Sequence, residues 1–210
     1  MEHACHIEGI GTLQNLEFLD ISDTELDRLP KTISNLKKLQ WLKMNNTSVR
    51  MWINDTDWTR LTELEVLEAR DSEDYGVSMR TIFMLPSLKK LYTDRSKIDM
   101  DVYSRSLKRY VLEEWSASEI KYLPDEIMRK LPKLRTWNLS HNLLTYLPKK
   151  IGKLKSLEVL DLSYNKLSKL PKSLKRLKRL KTLNLEGNLL DEATLDWLKS
   201  VLPGDCKLIF

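Results

Sequence analysis

Leucine and other apolar residues recur along this chain in a fixed frame. Three stretches, starting at Leu134, Leu157 and Leu180, read L-x-x-L-x-L-x-x-N-x-L, and their starts lie 23 residues apart. The first two run on into x-x-L-P. The frame extends backwards with decay to Leu16, Leu39, Leu64 and Leu88. A degenerate copy ends at "SASEIKYLP". Framed from Tyr110, it puts Trp115, Ser118, Ile120 and Leu123 in their slots but leaves Glu113 at a core position. Framed from Leu107, it suits Tyr110 and Leu112 and spoils the ending, so a bulge or insertion is expected there. The count is about eight copies, starting near 16, 39, 64, 88, 110, 134, 157 and 180.

Self-similarity at such a period predicts a solenoid. The L-x-L segment of each copy alternates, as a short strand with two inward side chains does. Strands of successive copies stack into a parallel sheet on the concave side. The next Leu (Leu26, Leu144, Leu167) and the Leu before Pro (Leu29, Leu147, Leu170) carry the core around the bend. Ile33, Leu36, Ile151, Leu154, Leu174 and Leu177 return along the convex side as short helical or 3₁₀ turns. Each copy buries its neighbours' apolar faces and is not stable alone. Asn142, Asn165 and Asn188 turn inward after the strand and satisfy backbone groups of the bend, with Thr24, Thr47, Ser72, Ser96 and Ser118 as hydroxyl replacements. These ladder residues are structural.

The two ends differ. Asp191 is the expected N-cap of a closing helix, with Leu190 and Leu195 at hydrophobic-staple spacing. Leu195, Leu198 and Leu202 share one face of it, and with Leu208 and Phe210 they lid the last coil, making 191–210 a cap. "IGTLQNL" from Ile10 matches "ISNLKKL" from Ile33, so the chain opens in the tail of an earlier copy. That end is expected to be trimmed, locally capped or covered by a partner.

The recurring frame resembles the leucine-rich-repeat family over nearly the whole chain. The linkers "LPKTISNLKKL" and "LPKKIGKLKSL" resemble the 23-residue class of bacterial and plant intracellular members, and "LPGDCKLIF" resembles the terminal cap of bacterial members. The expected fold is therefore α/β: a single domain, 1–210, forming a curved leucine-rich-repeat solenoid with a parallel concave sheet, 3₁₀ turns outside and a C-terminal helical cap. The resemblance also implies a non-catalytic, protein-binding role.

Composition adds bounds. The 210 residues are 41% hydrophobic, enough for a sizeable core. No apolar run is long enough for a membrane span. "MEHACHIEGIGTL" lacks the basic start and long apolar stretch of a secretory signal, so the expectation is cytoplasmic if the chain is full length, and secreted or surface-bound if trimmed. Cys5 and Cys206 stand at opposite ends of the solenoid, too far apart for a disulfide.

Candidate chemistry is sparse. His3, Cys5 and His6 give three possible ligands on a terminus, where a structural zinc site needs four; no metal and no cofactor are expected. His141 sits at a strand end as a surface residue. No nucleophile motif and no glycine-rich phosphate loop occur, so no catalytic residue is proposed. From Lys149 to Lys181 stand twelve Lys and Arg against Glu158 and Asp161, a local excess of ten positive charges. That convex flank supports a second reading, adhesion to an anionic polymer or membrane. Nucleic acid is not expected, because stacking aromatics are missing from the flank apart from Tyr164 on the other face.

Outward strand positions carry no packing demand, so large side chains there call for another reason. The third position of each copy gives Phe18, Trp41, Val66, Lys90, Leu112, Thr136, Val159 and Thr182; the fifth gives Asp20, Lys43, Glu68, Tyr92, Glu114, Asn138, Asp161 and Asn184. Phe18, Trp41 and Tyr92 beside Arg70 and Arg95 have the composition of an interface hot spot. The expected partner site is therefore Phe18, Asp20, Trp41, Lys43, Glu68, Arg70, Tyr92 and Arg95, in a monomer or an N-terminal-edge dimer. The irregular middle, with Trp52, Trp58, Asp71, Glu73 and Asp74, fits equally a functional loop or repeat decay packed by tryptophan.

Overall fold

The computed structural model describes residues 7–49, 57–72, 77–96, 98–99 and 110–210. The chain forms two compact units, Met1–Ser104 and Arg105–Phe210.

In the first unit the strands β1 (Phe18–Asp20), β2 (Trp41–Lys43), β3 (Val66–Glu68) and β5 (Lys90–Thr93) lie side by side in parallel. Their register has no slip: Phe18 pairs with Trp41, Trp41 with Val66, and Val66 with Lys90. The alternation of each strand therefore aims Leu42, Leu67 and Leu91 inward, and all three are fully buried. Between strands the chain returns through 3₁₀ turns at Glu8–Thr12, Lys31–Asn35 and Trp58–Arg60 and a one-turn helix α1 (Met79–Ile82). A two-residue pair, β4 (Val77–Ser78) with β6 (Ile98–Asp99), lies outside the main sheet. Trp58 is buried, which makes it a core residue of an irregular copy. Trp52, Glu73 and Asp74, like His3, Cys5, His6 and Leu107, lie outside the described residues.

The second unit contains β7 (Glu114–Ala117), β8 (Thr136–Asn138), β9 (Val159–Asp161), β10 (Thr182–Asn184) and β11 (Lys207–Ile209), all parallel and in that order. Its turns are α2 (Ile127–Lys130) and 3₁₀ segments at Ile151–Lys153 and Lys172–Arg176. These turns pack closely: a Cβ on Gly152 would stand 2.3 Å from the Ser173 carbonyl oxygen, so only glycine fits. Helix α3 (Glu192–Val201) closes the unit, with Asp191 accepting from the Thr194 N–H at 2.8 Å as its N-cap. The chain then adds β11 beside β10, so the cap is helix plus strand. Cys206 in this segment is a half-buried free thiol whose pKa is raised by burial and, secondarily, by Asp205.

The fifth copy corrects two expectations. Trp115 pairs with Trp137, so Leu112, and not Tyr110, is the first residue of that copy. Leu112 is buried rather than outward, and Glu114 and Ser116 hold the outward strand positions. The loop that follows is shortened. Ile120 N–H bonds Asn142 as Leu144 N–H bonds Asn165, yet Ile120 stands three steps beyond Ala117 where Leu144 stands five beyond Leu139. No single unbroken frame fits this copy because two residues are missing inside it. Trp115 and Trp137 stack at 5.2 Å between ring centroids, and both are fully buried.

Candidate functional site

The backbone after each strand bends through one left-handed residue: Asp23, Asn46, Asp71, Arg95, Glu119, His141, Tyr164 and Gly187. Seven of these eight are not glycine, a conformation that must be held by its surroundings. At seven of the eight bends the ladder residue comes next in the chain and bonds the surrounding backbone, whereas in the fifth copy Ser118 precedes the left-handed Glu119. Asn165 donates from Nδ2 to the carbonyls of Leu139 (2.8 Å) and Leu162 (3.0 Å) and accepts at Oδ1 from Leu144 N–H (3.0 Å). Asn142 and Asn188 repeat this pattern one copy either side. The earlier hydroxyls do less. Thr24 and Thr47 each bond the carbonyl three residues back, at 2.7 and 2.9 Å. Ser96 bridges copies, donating to Ala69 O and accepting from Ser72 N–H. Ser72 makes a long bond to Arg70 O at 3.4 Å. Ser118 is buried beside the shortened loop of the fifth copy.

In the first unit the expected site residues fall into three groups of contacts: a chain from Phe18 through Trp41, Glu68 and Arg70 to Tyr92, the pair Lys43–Asp20, and the pair Arg95–Asp71. Phe18 and Trp41 meet edge to face at 5.3 Å, and they remain 45% and 41% exposed, far more than strand packing needs. The Trp41 indole N–H donates to Glu68 Oε1 at 3.0 Å. Glu68 also accepts from the Arg70 guanidinium, which reaches Asp94 at 3.4 Å and lies 4.6 Å from the Tyr92 ring centroid. Lys43 pairs with Asp20 at 3.2 Å, and Arg95 grips Asp71 through two bonds.

Three of the expected contact residues are held by their neighbours. Glu68 is buried and accepts hydrogen bonds from Trp41 and Arg70. Tyr92 is half-buried beside Arg70, and Arg95 is engaged with Asp71. The exposed apolar surface is Phe18 with Trp41. Electrostatics follow from these contacts: Asp20 is held below the usual carboxylate range first by the Ser22 side chain and backbone and then by Lys43, and Asp71 by its bonds to Arg95.

In the second unit the strand face is smaller and more polar. Val159 and Thr182 are half-buried, and Asn184 bonds Asp161 at 3.3 Å. His141 stacks on Tyr164 at 4.6 Å, and the Tyr164 hydroxyl donates to Glu186 at 2.7 Å, which raises the phenol pKa. Glu158 is ringed by Lys181 (2.7 Å), Arg135 (2.9 Å) and Arg179 (3.7 Å), and Lys181 first, then Arg135, lower its pKa. Sequence reasoning missed two exposed aromatics. Tyr122 and Tyr146 stand 52% and 56% exposed immediately before the L-P bends, where the first copy has Arg28 and the seventh Lys169. Among the described residues, no three His, Cys, Asp or Glu side chains gather as a metal site, and no helix is long and apolar enough to cross a membrane.

Comparison with known proteins places this geometry. Family models named leucine rich repeat match residues 132–190 and 15–36. Disease resistance protein RFL1 of Arabidopsis thaliana is 42% identical over 92 residues, which is 42% of this chain and 10% of that protein. The chain thus spans about a tenth of that curated relative. Among solved structures, the Leptospira interrogans leucine-rich-repeat protein LIC12759 is 26% identical with a TM-score of 0.63, over 97% of this chain and 45% of that one. The plant peptide hormone receptor RGFR1, in complex with RGF2, is 25% identical with a TM-score of 0.62, over 93% of this chain and 33% of that one.

Proposed function

Because this chain is a leucine-rich-repeat protein, the premise is an interaction fold, and we propose that it is a non-catalytic module that receives a protein or peptide on the concave strand face of its first unit. The carrying observation is the exposed Phe18–Trp41 pair. Two large aromatics on adjacent strands, pre-set against each other and with the indole N–H already bonded to buried Glu68, offer apolar area at little ordering cost. The receptor RGFR1, solved with RGF2, supports the class of partner. Around the pair, Lys43 with Asp20 and Arg70 with Glu68 form a satisfied polar rim.

The test is capture of a partner by the wild-type chain and by Phe18→Ala/Trp41→Ala, with circular dichroism to show that both are folded. The expected outcome is a specific partner retained at about 0.3 M salt, where surface charge is strongly screened, and lost with the double substitution. Binding that survives the substitution and vanishes with salt would reject this face and favour the basic convex flank on an anionic surface instead.

A further inference from the structure

The L-P bends of the second unit form an edge distinct from the strand face and from the outer turns. Successive copies align there, and they leave a shallow open groove lined by Tyr146, Leu147, Pro148, Leu170 and Pro171, with Lys149, Lys169 and Asp125 as its charged residues. Its floor is carbon: Leu147 and Pro148 are buried, and Leu170 and Pro171 half-buried. Its rim is cationic. Lys149 and Lys169 are exposed and form no ion pair among the described residues, whereas neighbouring Lys150 is held by Asp125 at 3.4 Å. The acids facing the rim are Asp125, already engaged by Lys150 through both side chain and backbone, and Asp191, committed to its helix cap. Tyr122 continues the exposed aromatic line at the matching position of the preceding copy.

The wider field has the same sign. The second unit carries 22 Lys and Arg against 12 Asp and Glu, a net of +10, whereas the first carries 13 against 18, a net of −5. With Asp125 bonded to Lys150 and Asp191 capping its helix, an apolar slot under Lys149 and Lys169, inside a unit of net +10, can take an apolar side chain flanked by further negative charge.

We propose that the groove between Tyr146 and Lys169 is a second docking site, independent of the strand face, and that it takes an extended acidic peptide segment carrying an apolar or aromatic side chain. The side chain seats on Leu147, Pro148 and Pro171, the flanking carboxylates meet Lys149 and Lys169, and Tyr146 covers one side. A peptide fits better than a nucleic acid. Exposed Tyr146 offers a stacking face at one side, but the floor is aliphatic and proline carbon, which receives a side chain better than a base. A membrane fits less well because the apolar surface is recessed between two copies instead of protruding.

The probe is a fluorescein-labelled decapeptide alternating glutamate with tryptophan, titrated into the full chain by anisotropy. The expected result is saturable binding that weakens about tenfold for Tyr146→Ala/Lys169→Glu and is kept by Tyr146→Phe. The control Lys175→Glu/Lys178→Glu, with a larger charge change on the outer turns, should lose under about twofold. Thermal melts of every variant check the fold. Equal loss in both charge variants would show a diffuse charge effect and overturn the proposal. So would displacement of the peptide by equimolar single-stranded oligo(dT) or by phosphatidylserine vesicles, which would assign the edge to nucleic acid or to membrane. Absence of binding at low salt would overturn it outright. None of these outcomes depends on Phe18 or Trp41.

Discussion

At the scale of single residues, the deciding chemistry is backbone satisfaction. A coil that bends through a left-handed residue leaves its carbonyls and N–H groups inside the solenoid, where water cannot reach them. One buried amide, Asn165, serves three of them across two neighbouring copies. Replacing Asn165 with alanine strands those groups, and each unsatisfied buried group costs about 1–3 kcal/mol. The expected loss for Asn165→Ala is about 2–4 kcal/mol in urea unfolding, with a smaller loss for Asn188→Ala, whose site is partly exposed. The acidic side chains add a pH dependence. Asp20 and Asp71 have carboxyl pKa values below normal when folded, so their contribution is present above the unfolded value, about 4, and is lost as pH falls through the folded values. Melting temperature should therefore fall progressively below about pH 4. Arg95→Gln should flatten that fall, because Asp71 then loses the partner that lowers it most. An unchanged pH profile would show that the pair acts only locally.

At the scale of elements, the strand and its alternation do most of the organising. Among the described residues, the frame L-x-x-L-x-L placed seven of the eight repeat strands that precede the cap, because strands with one buried face announce themselves by period two. The fifth copy misled for a physical reason. Its strand obeys the rule, through Leu112, Trp115 and Ala117, but Glu113 and Glu114 interrupt the apolar run and the following loop is two residues short. A frame anchored on Ile120 and Leu123 therefore drifts back to Tyr110. The aromatic pair of the candidate site was legible, since outward positions are free of packing demands. The burial of Glu68 was not, because it depends on an indole one copy back and an arginine two residues on. The short turns carry their own constraint. Gly152→Ala pushes a methyl into the Ser173 carbonyl of the next turn, and overpacking of this kind costs about 1–3 kcal/mol. Urea unfolding of the variant, with Gly9→Ala as the control in open space, checks this; equal stability of the two variants would remove the close-approach argument.

At the scale of the whole molecule, stability is local and additive, as in any array whose coils bury one another's faces. The cap is then the element whose loss propagates. Truncation after Leu190 removes α3 and β11, leaving the β10 edge without its partner strand and uncovering the coil that Leu198 and Leu202 close. The expected outcome is a chain that elutes in size-exclusion chromatography as dimers and larger species; a monomeric, fully folded product would show that β10 needs no cover. The split of charge between the units, −5 and +10, belongs to this scale too. It predicts that acidic-peptide binding at the proposed groove of the second unit weakens with salt, without requiring the same of the strand face in the first.

The unslipped register carries one more consequence. Thr136 sits beside Val159, and Val159 beside Thr182, residue for residue. A genetic exchange between two copies at any such matched pair would return an intact coil, with sheet, ladder and outer turn all in place. The protein would grow or shrink by one copy, about 4.8 Å of sheet, and no other residue would have to change. A one-residue insertion inside a strand would instead turn its leucines to water. Length in this chain is thus a discrete quantity, inherited in whole coils. The exception lies in the bend after the strand, where the fifth copy has already lost two residues and kept its place in the sheet.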